Sequence, residues 1–319
     1  MSCRVVDRNG AVEEAALDRE RLEQRLARGF FWLDLQRPAR RDLELLHEVL
    51  DLHPLAIEDS SHFGQRPKLE EYESFDFLVV YGHAPDDDDL VEVHCYLSER
   101  FLLTLRRDDA PALDALHRSY AHGRMLRDGT ALMVHAVVDA LVDSFVAPIA
   151  RFDERLALIE DELLRSPKEE LLQDVLAMKR RIARLRRVVA PQRDVFGRIA
   201  SGAADLPGAT EETQPYFRDI YDHLLRLNAT LDTSTELMAG VIGIYLSSSS
   251  RRLNEVMKQI TVIAAIFLPL AFITGFFGQN FGWMVRHVDG AIAFFGLGIG
   301  LELAAIMLLL TYFRRRNWF

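Results

Sequence analysis

The chain has 319 residues, 49% of them hydrophobic, with 38 Lys and Arg against 48 Asp and Glu for a net charge of −10. That apolar fraction excludes a disordered chain, and the acidic balance excludes a basic nucleic-acid binder. Residues 251–319 hold seven basic and three acidic residues, so the acidic excess lies upstream of a basic, apolar C-terminal part. This division suits a body that handles cations and a tail that meets a membrane. Two cysteines, Cys3 and Cys95, are too few for a disulfide framework and fit a reducing compartment. The first eight residues carry no apolar h-region, so a cytoplasmic start without a cleaved signal is expected.

Residues 1–129 read as a cytosolic α/β domain. Aromatic and β-branched residues predict strands over Phe30–Leu35, Phe75–Gly82, Val91–Leu97 and Phe101–Arg106. The run Pro85-Asp86-Asp87-Asp88-Asp89 reads as a solvated hairpin tip. Adjacent carboxylates on a loop do not converge on a cation without other ligands. His94 and Cys95 are neighbours on a strand, point to opposite faces and cannot share one metal.

Residues 130–214 are expected to form an antiparallel hairpin of two long helices. The first runs to about Arg165 and breaks at Ser166-Pro167, and the second starts at Lys168. Asp153, Glu154, Glu160, Asp161 and Glu162 on one arm are placed to pair with the basic run Lys179–Arg187 on the other. Residues 202–208 read as a loop.

Between Pro215 and Pro269 there is no proline, and a single helix is predicted from about Tyr216 to Phe277, roughly 90 Å long. No residue from Gln259 to Asn280 is charged, and Ile260–Phe277 is apolar enough to cross a bilayer. A short segment, 278–290, leads to a second span over Ala291–Phe313, within 291–319. Such a connection permits only a helical hairpin. Arg251, Arg252 and Lys258 flank the first span and Arg314–Arg316 come after the second, which predicts both termini in the cytoplasm. Trp283 and Trp318 fit interfacial anchors.

Stepping along the long helix by three and four gives a seam of small and polar residues. It runs from Thr233 and Glu236 through Gly240, Gly243, Ser247, Ser250, Asn254, Met257, Thr261, Ala264, Leu268, Ala271 and Gly275 to Gly278. A dry coiled coil would place Leu, Ile or Val there. Two readings stand: close helix packing through small residues, or a face toward water. The seam's length favours water. Two spans cannot enclose a pore, so the water reading requires a ring of identical subunits. Asn254, Thr261 and Asn280 then offer neutral oxygens to a hydrated cation, while Met257 and Leu268 form apolar constrictions that gate by dewetting. Glu302 lies within the second span and is a candidate for proton coupling, against the plainer reading of a protonated side chain bonded to a neighbouring helix. His287 in the outer segment reads as an ordinary loop histidine. No nucleotide loop, nucleophile motif or paired Cys and His spacing points to an enzyme.

These motifs resemble the CorA family of divalent-cation channels. The resemblance rests on Asn254-Glu255-Val256-Met257-Lys258, Phe267-Leu268-Pro269-Leu270, Gly278-Gln279-Asn280-Phe281 and Arg314-Arg315-Arg316-Asn317-Trp318. Upstream, residues 53–59, 65–68, 139–143 and 215–223 match the family pattern as well, so nearly the whole chain is covered. The resemblance implies an α+β cytosolic funnel, long helices and two transmembrane helices in a homopentamer of the plasma (inner) membrane. It implies influx of Mg²⁺, with Co²⁺ and Ni²⁺ accepted, through Asn254, Met257, Thr261, Ala264, Leu268, Ala271 and Gly275. Gly278, Gln279 and Asn280 would form the outer mouth. Gating divalent ions would bind Asp59 and Asp219, with Glu58 and Asp139 nearby. No cofactor is expected beyond cargo and regulatory metal ions, and no partner beyond further copies of the chain and lipid. The family signature at the mouth is Gly-Met-Asn, and typical members carry threonine where Ala271 stands. Variant signatures occur in the related zinc-transporting branch, ZntB, which makes proton-linked Zn²⁺ transport the alternative. A non-conducting membrane-anchored sensor is the alternative of another class.

Overall fold

Four segments rich in aromatic and branched residues form the centre of a seven-stranded sheet. The computed structural model describes residues 2–7, 10–14, 16–84, 89–121, 129–166, 168–316 and 318. The strands are β1 (Ser2–Asp7), β2 (Val12–Glu14), β3 (Phe31–Gln36), β4 (Lys68–Glu71), β5 (Asp76–His83), β6 (Leu90–Leu97) and β7 (Phe101–Arg106), in the order β2-β1-β3-β7-β6-β5-β4. Only β3 and β7 are parallel. β5 and β7 are buried along their whole length, as a strand covered on both faces must be. The β1, β2 and β4 segments escape a sequence reading because they carry little apolar signal. β4 is Lys-Leu-Glu-Glu, and its charges blunt an exposed sheet edge. Of the aspartate run, Pro85–Asp88 lie outside the described residues.

Register assigns the two faces. Val91, Val93 and Cys95 point one way and Glu92, His94 and Tyr96 the other. On the second side lies α3 (Pro54–Ser61), whose Ala56 carbonyl and Ser60 hydroxyl bond Tyr96 and His94. His94 is fully buried and satisfied by Ser60 and Glu92, an ordinary core histidine. The same side carries α1 (Arg19–Arg28) and α2 (Arg40–Leu50). The opposite side is covered by α4 (Pro111–Ala121), α5 (Gly129–Asp143) and α7 (Glu169–Ala200). α5 comes so close that a Cβ at Gly82 would lie 2.7 Å from Leu141 Cδ2 and 3.2 Å from Ser144 Oγ, so a larger residue there would make the Leu141 side chain shift.

The long first arm expected up to Arg165 is two helices, which corrects the hairpin prediction. α5 stops at Asp143, and α6 (Val146–Arg165) starts after a turn at Ser144-Phe145. Pro148 has no N–H to give and so belongs in a first helical turn, and the Ser144 hydroxyl takes the His83 N–H of the sheet instead of prolonging a helix. α7 then runs unbroken to Ala200, with Arg155–Asp174 at 2.7 Å pairing the arms in a sense opposite to the expected one. α8 runs from Gln214 to Phe277, 64 residues. Phe217, Ile220, Leu224, Leu227, Leu231, Met238 and Val241 form its buried stripe in the first compact unit, residues 1–242.

The second unit, residues 243–319, is a helical hairpin. After α8 come a short helix, α9 (Gly282–His287), and α10 (Ala291–Arg315). Among the described residues three helical stretches are long and apolar enough to cross a membrane, but the first, 129–165, is the broken pair α5 and α6 and is more than half buried within its own unit. The last parts of α8 and α10 are almost wholly uncovered. The Lys258 ammonium sits 5.9 Å from the Trp318 ring centroid, so the start of the first span and the end of the second meet on one side.

A buried polar network fixes the sheet against α4. Trp32 Nε1 donates to Thr104 Oγ1 at 3.0 Å, and that hydroxyl donates to Asp34 at 2.7 Å. Arg106 and His117 reach the same carboxylate, and the His117 ring stacks on Trp32 at 4.0 Å. Burial pushes the Asp34 pKa up, but the His117 hydrogen bond and the Arg106 charge prevail and hold it below the ordinary aspartate value. Its stabilising contribution is therefore complete above that ordinary value and is lost as the pH falls through the depressed folded-state pKa. Asp34→Ala removes the buried partner of Arg106, leaving it only the half-buried Asp114 and the Asp108 carbonyl, and is expected to cost about 3 kcal/mol. Thermal unfolding of the purified protein measures this; an unchanged midpoint would remove the network from the core's stability.

Candidate cation pathway and metal cluster

Every seam position from Asn254 to Asn280 is exposed in the single chain, with Met257 at 55% and Leu268 at 75%. The buried positions of this span are Val262 and Ile273, which lie off the seam. Gly240, Gly243 and Gly275 have nothing within 4 Å of where a Cβ would stand. Glycine inside a helix costs about 1 kcal/mol relative to alanine, and no contact within the chain repays it here. The neighbouring apolar stripe, Leu253, Val256, Ile260, Ile263 and Phe267, is exposed as well. The chain alone therefore covers neither stripe.

The Thr261 hydroxyl donates to the Met257 carbonyl at 2.7 Å. Its hydrogen is thereby committed to the helix, and its lone pairs remain free as acceptors. The helix ends at Phe277, and Gly278 N donates to the Thr274 carbonyl at 2.9 Å. Gln279 and Asn280 come next as exposed amides. Glu302 meets the Thr274 hydroxyl of the first span at 2.6 Å. His287 stacks on Trp283 and bonds its carbonyl.

In the first unit, α5 and α8 bring acidic and imidazole groups together. His135, Asp139 and Asp143 succeed one another at i, i+4 on α5, and Asp219 and His223 do so on α8. His223 lies 3.8 Å from Asp139, 3.6 Å from Asp143 and 3.7 Å from Asp219. Two overlapping sets, His135–Asp139–Asp219 and Asp139–Asp143–His223, keep their donor atoms within 4.8 Å of one another. Burial raises the Asp143 pKa, Asp139 raises it further, and His223 opposes them. Asp139 and Asp219 are thus brought together. His135, Asp143 and His223 join them; the i, i+4 spacing on each helix was the signal in the sequence, and the packing of α5 on α8 brings the two rows together.

Glu58 and Asp59 belong to neither set. They lie on α3, where Asp59 accepts from Lys68 at 2.6 Å and Glu58 is exposed. Lys68 also bonds Glu70; burial lowers its pKa, but the two carboxylates outweigh burial and raise it.

Carboxylate with imidazole is a donor set that favours Co²⁺, Ni²⁺ or Zn²⁺ over Mg²⁺, which prefers oxygen alone. Any such ion at about 100 times its dissociation constant stabilises a protein by about 2.7 kcal/mol. Co²⁺ is accordingly expected to raise the melting temperature, and Asp139→Ala to abolish most of the gain. An undiminished gain in Asp139→Ala would place the bound ion elsewhere.

Comparison with known proteins agrees with this architecture. The chain is 31% identical over 298 residues to the cobalt/magnesium transport protein CorA of Thermotoga maritima, covering 90% of this chain and 83% of that protein. It is 31% identical over 200 residues to the zinc transport protein ZntB of Klebsiella pneumoniae, covering 61% and 58% of the two chains. The fold matches the complete structure of the CorA magnesium transporter from Methanocaldococcus jannaschii with a TM-score of 0.86 at 20% identity, over 100% of this chain and 99% of that one. Residues 27–315 match the family described as CorA-like Mg²⁺ transporter protein. The chain therefore belongs to the CorA family, whose members transport metal ions across membranes and are not enzymes.

Proposed function

We propose that the chain assembles as a homopentamer in the plasma (inner) membrane and admits divalent cations, Mg²⁺ foremost and Co²⁺ or Ni²⁺ besides, to the cytosol. The observation that carries this reading is the seam of α8: a row of small and polar residues that the chain leaves uncovered and whose glycines no contact within it explains. Five copies around an axis would turn that row into a wet path. Asn254, Thr261 and Asn280 would present oxygens to the water shell of the ion, and Ala264, Ala271 and Gly275 would keep the bore open. Mg²⁺ dehydrates reluctantly, and a lining of neutral acceptors suits an ion that keeps its waters. Met257 and Leu268 would form the apolar rings that close by dewetting. Gly278, Gln279 and Asn280 would receive the ion at the outer mouth. The basic residues flanking both spans support cytoplasmic termini.

Regulation would use the cluster on α5 and α8. Asp139 and Asp219 would bind a cytosolic divalent ion, and Glu58 and Asp59 of the neighbouring subunit would complete the site. Binding would hold the subunits together and keep the apolar rings narrow.

One observation favours a second cargo. Gln279 stands where the family signature has methionine, and the cluster offers two imidazoles, which suit Zn²⁺. Metal uptake into proteoliposomes, with and without a pH gradient, separates the readings. Mg²⁺ flux indifferent to the gradient is expected; Zn²⁺ flux driven by it would favour the second cargo, and no flux of either would favour a sensor.

Asn280→Ala is expected to lower Mg²⁺ flux by up to about tenfold, the order of one lost hydrogen bond to the ion's water shell. Wild-type flux in this variant would remove Asn280 from the mouth. Asp219→Ala is expected to weaken inhibition by cytosolic Mg²⁺, and an unaltered inhibition curve would reject that site.

A further inference from the structure

The second span is irregular where it faces the end of the first. Phe294–Gly300 is a π-helical stretch between the α-turns Ala291–Ala293 and Leu301–Arg315. π-turns are rare, and each carries an extra residue that shifts the face presented by the next turns of the helix. Gly296, Gly298 and Gly300 permit the wider turn, and Glu302 stands two residues beyond it.

Glu302 Oε1 lies 2.6 Å from Thr274 Oγ1, and the same hydroxyl lies 2.9 Å from the Leu270 carbonyl oxygen. A threonine hydroxyl carries one hydrogen, and a carbonyl can only accept. An ionised Glu302 could only accept as well and would take that one hydrogen, leaving the Leu270 carbonyl with the Thr274 N–H of the helix and its contact to the hydroxyl without a hydrogen. A protonated Glu302 satisfies all three groups: its O–H donates to Thr274, and the Thr274 O–H donates to Leu270. The surroundings agree. The spans bring no cation to this carboxyl, and apart from it the ionisable groups between Gln259 and Phe313 are Arg286, His287 and Asp289 in the outer segment and Tyr312 near the far end. Of these, Arg286 bonds the Gly282 carbonyl and His287 the Trp283 carbonyl. A charge without a counterion is disfavoured in hydrocarbon.

Thr274 is in turn the anchor of the outer segment. Its carbonyl accepts from Gly278 N at 2.9 Å, and a Cβ at position 278 would stand only 3.0 Å from that oxygen. The glycine is there because the chain turns tightly over Thr274. We propose that Glu302 is a protonated positioning residue: by donating to Thr274 it fixes the last turn of the first span against the second, and thereby sets where Gly278, Gln279 and Asn280 stand. The positioning role rests on the reading of those three residues as the outer mouth, whereas the protonated hydrogen bond does not.

Infrared spectroscopy of the full-length protein in lipid, combined with Mg²⁺ flux, tests both parts. A protonated-carboxyl band that persists across the physiological pH range is expected, absent from Glu302→Gln and shifted to higher frequency in Thr274→Val, where the acceptor is gone. In flux, Glu302→Gln retains an amide donor and is expected to keep the wild-type apparent affinity. Glu302→Ala and Thr274→Val are expected to weaken it several-fold, and the double variant to be no worse than either. No carboxyl band, or a band that Thr274→Val leaves in place, would overturn the hydrogen bond. Wild-type affinity in Glu302→Ala, or flux driven by a pH gradient and lost in Glu302→Gln, would overturn positioning, the latter in favour of proton transfer. The expected bands in a protein that conducts no divalent ion would sustain the hydrogen bond while removing the channel.

Discussion

Two helices cannot wall water off from lipid. A polar path between them would open on the hydrocarbon at one side, where every unsatisfied polar group costs several kcal/mol. The membrane part of this chain consists of such a pair, and the more polar seam of α8 is left without cover by the chain itself. The glycines and hydroxyls along it would acquire a physical purpose if further copies closed the circle, as proposed. The same limit explains why so little of either span is buried, whereas the sheet domain, with helices on both faces, buries its central strands completely.

The sheet-bearing unit solves a different problem. Its central strands need cover on two sides, and that cover is fixed by groups that cannot be moved cheaply. Asp34 collects Thr104, Arg106 and His117 in the interior, so the sheet and α4 are held by charge as well as by burial. Ser144, at the break between α5 and α6, ties it to the sheet by taking the His83 N–H. That break leaves α5 free to lie on the sheet while offering His135, Asp139 and Asp143 to α8. Fold and candidate metal cluster thus share one helix: the inward face of α5 packs on β5, and its outward face carries the ligands.

Family membership and geometry inform one another at the cluster. Glu58 and Asp59 lie apart from Asp219 within one chain, and Asp59 is engaged by Lys68. On the proposed regulation, an ion bridging subunits would have to draw Asp59 from that lysine. The imidazoles of His135 and His223 tilt the donor set toward transition metals, while the neutral oxygens of the seam suit a hydrated ion of any of these metals. Regulatory ion and cargo need not have the same preference.

Periodicity and charge alone determined much of this protein. The two spans, their basic flanks, the long helix of α8 and the four central strands were legible because each is a local pattern: an uninterrupted apolar run, a seam of period 3.5, a cluster of branched and aromatic residues. The short strand β1 and the edge strands β2 and β4 were not, because their polar, weakly apolar segments are held by hydrogen bonds from neighbouring strands. The break at Ser144-Phe145 was also hidden, since it depends on a sheet N–H that is remote in sequence. Asp139 and Asp219 were visible as motif residues, but their convergence with His135, Asp143 and His223 needed the packing of α5 on α8. Glu302 was conspicuous as a lone acid in an apolar run, yet its partner could not be read. Which residue of the first span it meets depends on the register between two helices and on a π-helical shift, and both are properties of tertiary contact rather than of local sequence.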